Sequence, residues 1–150
     1  MQEKITISGE QYSYQEFDYL QEDPLVVAQI LRTQANLLDR GVSDGITFSV
    51  DAPVNVLYHK DLVVGFMIFE DNGSIERTIT LAWVHPAHRQ RGLHSFLFRK
   101  LKDQATEHGF FRILRGHHKE NYASALAQMS QGSQIYATNG DYVYTRNDLR

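Results

Sequence analysis

The sequence predicts an α/β (α+β) fold, with a mixed, mostly antiparallel sheet of about six to seven strands flanked by helices. Three observations carry this expectation. Leu62 to Phe69 (LVVGFMIF) is a continuous apolar run of strand length, the pattern of a strand buried on both faces at the centre of a sheet. Thr78 to Val84 sets Ile79, Leu81 and Trp83 against Thr78, Thr80 and Ala82, a period of two that marks a half-buried strand. After a short turn, Leu93, Phe96, Leu97 and Leu101 fall at helical spacing.

The remaining elements fill in around these. Lys4 to Ser8 (KITIS) reads as a short strand ended by Gly9. The aromatic stretch with Tyr12, Tyr14, Phe17 and Tyr19 does not declare a secondary structure. Asp23-Pro24 is a helix start, with Asp as N-cap and Pro at the first helical position. Val27, Ile30, Leu31 and Leu38, with Ala35 between, line one helix face, and Gly41 ends it. Val42 to Pro53 is a loop. Val54, Val56 and Tyr58 alternate as a strand, Lys60-Asp61 is a hairpin turn, and Asp71-Asn72-Gly73 is a second turn. His108-Gly109 closes the helix that begins at Leu93, and Phe110 to Leu114 makes the next strand. Asn121 to Met129 is a short helix ending near Gly132. Asn139-Gly140 joins Gln134–Ala137 to Tyr142–Thr145 as a hairpin.

Composition narrows the class. A chain of 150 residues predicts one domain over 1–150 with a core that needs no staples. With no cysteine in the sequence, a disulfide framework and a Cys-based metal site are excluded. No apolar run approaches a membrane span, and MQEKITISGEQ lacks the apolar core of a signal peptide, so a soluble cytoplasmic protein without membrane association is expected. A net charge of −3 argues against nucleic-acid binding through a basic surface, although His85 to Lys102 carries Arg89, Arg91, Arg99, Lys100 and Lys102 and no acid.

The chemistry concentrates in HPAHRQRG, between the Thr78–Val84 strand and the Leu93 helix. A helix that starts after a sharp turn aims unpaired N–H groups and a positive dipole end at whatever sits there, a natural site for phosphate. Gly92 lets the backbone approach an anion without a Cβ in the way, and Arg89 and Arg91 offer guanidinium groups to its oxygens. No metal is expected. Neither His117-His118 nor His85 with His88 has a third ligand at recognisable spacing.

Val84-x-Pro86-x-x-Arg89-x-Arg91-Gly92-Leu93 resembles the acyl-CoA signature of the GNAT superfamily of N-acetyltransferases, written as Gln or Arg, two residues, Gly, one residue, then Gly or Ala. Arg89 and Gly92 match, whereas His94 stands at the final small position. The resemblance is strongest from Leu62 to about Gly132. It implies a GNAT-like domain with acetyl-CoA as cosubstrate. Arg89, Gln90, Arg91, Gly92, Leu93, His94 and Ser95 would hold the pyrophosphate, Ala82, Trp83 and Val84 would pair with pantetheine like an added strand, and Asn121 would assist. It also implies that the Val42–Pro53 neighbourhood helps to shape the acceptor pocket.

The same resemblance implies a water-mediated glutamate base on the central strands, yet Ile79 to Val84 contains no acid. Glu70 and His85 are the leading candidates, followed by His117. It further implies a tyrosine acid four residues before the glycine that ends the following helix. Counting back from Gly132 gives Gln128, with Tyr122, Tyr136 and Ser130 nearby, and Tyr122 is taken as the third catalytic candidate. The leading expectation is acetyl transfer to a primary amine by direct attack on the thioester, the acceptor being a small molecule, a protein amine or a modified nucleotide. The alternative is a GNAT-fold protein that binds acyl-CoA with weak or no turnover. A homodimer is compatible with either, and a nucleic-acid partner is disfavoured by charge.

Overall fold

In the computed structural model, which describes residues 2–39, 51–119 and 122–150, Glu3–Ile7 (β1) and Glu10–Phe17 (β2) form a hairpin. Ser8 and Gly9, at φ of 50° and 82°, make its turn. The second strand escapes a sequence reading because its inward residues serve two cores. Tyr12 and Tyr14 pack on one face of the sheet and Phe17 on the other, so no single face is apolar throughout. A 3-10 turn at Leu20–Glu22 leads to α1 (Pro24–Asp39). Asp23 caps this helix as predicted, its Oδ1 accepting from the N–H of Leu25 at 3.0 Å and of Val26 at 3.4 Å. The expected stop at Gly41 and residues 42–50 of the expected acceptor loop lie outside the described residues, as do the side chains of Leu31, Ala35 and Leu38.

β3 (Val54–His59) and β4 (Leu62–Asn72) are joined by Lys60-Asp61, both at positive φ, the conformation that a tight hairpin requires. β4 runs past Phe69 through the predicted Asp71-Asn72 turn, and Gly73–Ile75 make the turn instead. β5 (Glu76–Val84) follows, then a 3-10 turn (Pro86–His88) and α2 (Leu93–Glu107). β6 (Arg112–His118) starts two residues later than predicted, because Phe110 is buried in the core under α2 instead of joining a ladder. α3 (Tyr122–Met129), β7 (Gln134–Asn139) and β8 (Tyr142–Asp148) complete the chain.

The eight strands lie in the order β1-β2-β3-β4-β5-β6-β8-β7, one more than the upper expectation because Glu10–Phe17 is a strand. Every neighbouring pair is antiparallel except β5–β6, which α2 connects as a parallel crossover. One core, with Leu93, Leu97, Phe98 and Leu101 of α2 against Met67, Phe69 and Ile79, fills the α2 side. The other, with Val26 and Ile30 of α1 against Val56, Phe66 and Ile68, fills the opposite side. The central strand β4 feeds both, as its unbroken apolar run requires. Among the described residues no helix is long and apolar enough to cross a membrane.

Candidate functional site

The site begins with an irregularity in β5. Ile68 pairs with Leu81 but Phe69 pairs with Ile79, so Thr80 is an extra residue that bulges the strand. A bulge bends its strand, and here β5 leaves β6 at the same place. The parallel pairing ends at Ile79–Arg115, while β5 continues beside β4 to Val84 and β6 continues beside β8 to His118. A gap therefore opens between Leu81–Val84 and Gly116–His118. The N–H of His85 donates to the Val64 carbonyl at 2.7 Å, which sets the alternation along this part of the strand. Peptide groups two residues apart point the same way, so those of Ala82 and Val84 face the gap while that of Trp83 faces β4. The Trp83 ring lies on the α1 side, stacked on Phe66 with 5.7 Å between centroids.

At the mouth of this gap the chain makes the predicted turn. His85 accepts from the Ala87 N–H at 3.0 Å through Nδ1 and starts the 3-10 turn, with Pro86 at its first position. Gln90 and Gly92 both have positive φ, 62° and 90°, which folds the loop back before α2. Gly92 is the N-cap of α2 and no side chain caps it, so the first-turn N–H groups, those of Leu93, His94 and Ser95, are left without a capping side chain. Arg89 donates from Nε to the Val84 carbonyl at 3.1 Å, tying the loop to the edge of the gap. The β1–β2 turn braces the loop from beneath. Ser8 Oγ donates to the Arg91 carbonyl at 2.7 Å, and a Cβ on Gly92 would stand 3.7 Å from Ile7 Cγ2. Contacts so distant along the chain leave no local sequence signal.

Of the catalytic candidates, Glu70 and His85 lie toward opposite ends of β5. Glu70 is exposed and pairs with Thr78, near the bulge; its neighbour Phe69 packs under α2, so Glu70 projects to the α1 side. His85 sits at the other end of β5, beside the loop. Because its Nδ1 accepts the Ala87 N–H, the neutral ring carries its proton on Nε2, and its lone pair is already engaged. Tyr122 opens α3, but its side chain, like all of Asn121, lies outside the described residues. Ser130 donates to the Ala127 carbonyl at 2.6 Å and so finishes α3. Tyr136 is half exposed on β7, its ring 6.5 Å from that of Tyr144.

His94 turns into the protein, not toward the loop. Its Nε2 is 3.4 Å from Gln128 Nε2, at the edge of a buried polar cluster that spacing alone did not reveal. His117 bridges Ser124 Oγ at 2.7 Å and Thr145 Oγ1 at 2.8 Å, and Thr145 Oγ1 lies 3.5 Å from Gln128 Oε1. Arg115 stands beside both histidines. Burial first, then this guanidinium, push the His94 imidazole down to about 3. Burial, then Arg115, then His94, do the same to His117, also to about 3. Burial keeps both rings neutral at physiological pH, and both ring nitrogens of His117 are engaged by Ser124 and Thr145, which disfavours it as a base.

A second histidine group backs the loop. His88 contacts His59 and His85, with centroids 4.9 and 5.8 Å apart, and its Nδ1 lies 3.0 Å from the Tyr12 hydroxyl. Burial, then His59, Arg91 and His85, hold His88 below the usual imidazole range, with Glu10 opposing. Among the described residues no group of three or more His, Asp or Glu side chains could hold a metal ion. A shallow cavity of about 360 Å³ lined by Phe111, Arg112, Arg146, Asp148 and Arg150 lies at the far end of β6 from the gap.

A model of the acetyltransferase (GNAT) family matches residues 13–129. No curated protein sequence matches. Among solved structures, yncA of Salmonella typhimurium, a putative acetyltransferase with acetyl-CoA as its cofactor, is 20% identical with a TM-score of 0.69, covering 91% of this chain and 94% of that one. The GNAT domain of S. lividans PAT is 14% identical with a TM-score of 0.72, covering 98% and 96%. N-acetylglutamate synthase from Neisseria gonorrhoeae, complexed with coenzyme A and N-acetyl-glutamate, is 14% identical with a TM-score of 0.71 over 91% of this chain and 35% of that one. At these identities the likeness is one of fold.

Proposed function

This chain belongs to the acetyltransferase (GNAT) family, and from that premise we propose that it transfers an acetyl group from acetyl-CoA to a primary amine by direct attack on the thioester. The observation that carries the reading is the parting of β5 from β6 at the Thr80 bulge, directly upstream of an uncapped helix start. The residues fit the cosubstrate. N–H groups at the start of α2, behind Gly92, offer donors to a pyrophosphate. The outward peptide groups of Ala82 and Val84 offer an edge to pantetheine, as an added strand would use it. Pantetheine running from the loop along that edge brings the thioester toward the parting point, where the Ala82 N–H can polarise its carbonyl. The acceptor amine then approaches from the α1 side, where Glu70 stands beside the bulge and can take the ammonium proton through water.

Glu70 and His85 should therefore separate kinetically. Glu70→Gln is expected to lower kcat by about 100-fold, the lower range for a lost general base, with the KM for acetyl-CoA little changed. His85→Ala should raise that KM instead, because it removes the acceptor that holds the Ala87 N–H and shapes the loop. Wild-type kcat in Glu70→Gln would place the base elsewhere. The function itself is tested by titrating acetyl-CoA calorimetrically and following free thiol release with a panel of primary amines. Binding without thiol release would favour the second reading, an acyl-CoA-binding protein without turnover. Gln128 gives that reading its support, since an amide cannot protonate a leaving thiolate.

A further inference from the structure

Arg115 is the last residue of β6 to pair with β5 before the two strands part. Its neighbours two residues away fix the direction of its side chain. Ile113 lies in the core under α2, and His117 bonds Ser124 of α3, so Arg115 between them points to the same face, beneath α2 and α3. It is only 6% exposed, its Nε has no hydrogen-bond partner, and among the described residues no carboxylate pairs with its guanidinium.

The other arginines of β5 and β6 show how this protein ordinarily accommodates such a group. Arg77 is 4% exposed but donates twice to Asp71, at 2.7 and 3.2 Å, and lies over the rings of Phe69 and Phe110. Arg112 pairs with Glu76 at 3.2 Å. Among the described residues, the titratable groups beside Arg115 are the His94 and His117 imidazoles. A buried cation without a counter-charge is strongly disfavoured unless some state of the protein supplies an anion.

We propose that Arg115 receives the thiolate of coenzyme A as it leaves in acetyl transfer. The proposal rests on the acetyl-transfer reading above. In that reaction the amine lone pair attacks the thioester carbonyl and the C–N bond forms. Collapse of the tetrahedral adduct breaks the C–S bond, and its electron pair stays on sulfur. The ammonium proton goes to the base and then to water. Among the described residues the groups beside Arg115 do not protonate the sulfur: His94 and His117 are neutral, and the Ser124 and Thr145 hydroxyls that His117 bridges are alcohols, far weaker acids than a thiol. The leaving group is therefore held as an anion against the guanidinium and takes a proton from solvent on release. Burial lowers the guanidinium itself only to about 10, so it remains charged at neutral pH.

The test uses the full chain as wild type, Arg115→Gln and Arg115→Lys, titrated with coenzyme A and with desulfo-coenzyme A, in which hydrogen replaces the thiol. A free thiol ionises near pH 8.5. In the wild type the thiolate absorbance of bound coenzyme A should appear at least about one pH unit lower, so that its affinity rises about tenfold toward alkaline pH. Desulfo-coenzyme A should show no such rise. In Arg115→Gln the shifted thiolate absorbance should disappear and kcat should fall by about tenfold or more, while the KM for acetyl-CoA stays within about twofold. Arg115→Lys should restore part of the shift. Arg115→Met, of similar length, replaces the Gln variant should that fail to fold. Thiol ionisation at the same pH in wild type and Arg115→Gln would overturn the proposal while leaving acetyl transfer standing. An equal loss of affinity for desulfo-coenzyme A would also overturn it, by assigning Arg115 to some other part of the ligand. A wild type that binds no coenzyme A would remove both the proposal and the function it rests on.

Discussion

Replacing Gly92 with glutamate is expected to weaken acetyl-CoA binding by about 100-fold or more while leaving the protein folded. Gly92 has φ of 90°, where any residue with a Cβ is strained by roughly 1–3 kcal/mol. Space is not the obstacle, since the nearest atom to a Cβ would be Ile7 Cγ2 at 3.7 Å. The carboxylate would sit at the uncapped start of α2, where negative charge is stabilised by about 0.3–1 kcal/mol. That attraction offsets part of the strain, and it also makes the new side chain a competitor for the donors a pyrophosphate needs. Loss of two hydrogen bonds to a charged group, at roughly 1.5–3 kcal/mol each, corresponds to at least a hundredfold in affinity. Gly92→Ala carries the strain without the charge and should bind only moderately less well. Calorimetric titration of the three proteins decides the matter, and undiminished affinity in a folded Gly92→Glu protein would remove the loop from the binding site.

The division between what the sequence declared and what it withheld follows from interaction range. Asp23-Pro24 and Lys60-Asp61 act on their own backbone within a few residues and appear where expected, and the last hairpin turns at Gly140-Asp141, one residue beyond Asn139-Gly140. The unbroken run of β4 and the period of β5 report burial on two faces and on one, which is local information too. The Thr80 bulge is different: nothing in ITLAWV distinguishes a regular strand from one that slips a residue against β4, because the slip is decided by what packs on either side. The Glu10–Phe17 strand was hidden because its aromatics divide between two cores. The turn from Arg89 to Gly92 and the helix start at Leu93 were legible because Pro86, Gly92 and the helical spacing that follows are concentrated in one short stretch. Glu70 and His85 looked equivalent in the sequence. The sheet register places one beside the bulge and the other at the mouth of the gap, where its imidazole holds a backbone N–H. Arg115, His117, Ser124, Gln128 and Thr145 come from β6, α3 and β8, so their cluster exists only once those elements have packed.

That cluster is expected to make the protein's stability sensitive to acid. His94 and His117 are held at about 3 in the folded state, against about 6.5 in an unfolded chain. Between these values the unfolded chain binds protons that the folded chain refuses, so stability rises with pH across this window and is lost as pH falls through it. Above about pH 6.5 both forms are neutral and the contribution is complete. Each histidine contributes a slope of about 1.4 kcal/mol per pH unit within the window, so descending from pH 6.5 to pH 4.5 should cost on the order of a few kcal/mol. Urea unfolding at a series of pH values should show this slope in the wild type. His117→Gln should lower stability at pH 7, because the bridge to Ser124 and Thr145 is disturbed, but should flatten the dependence by about one proton. Imidazole resonances followed by NMR report the same groups directly. If His94 and His117 both titrate near the ordinary imidazole value in the folded protein, the rings are open to water, and the account of a dry cluster around Arg115 is wrong.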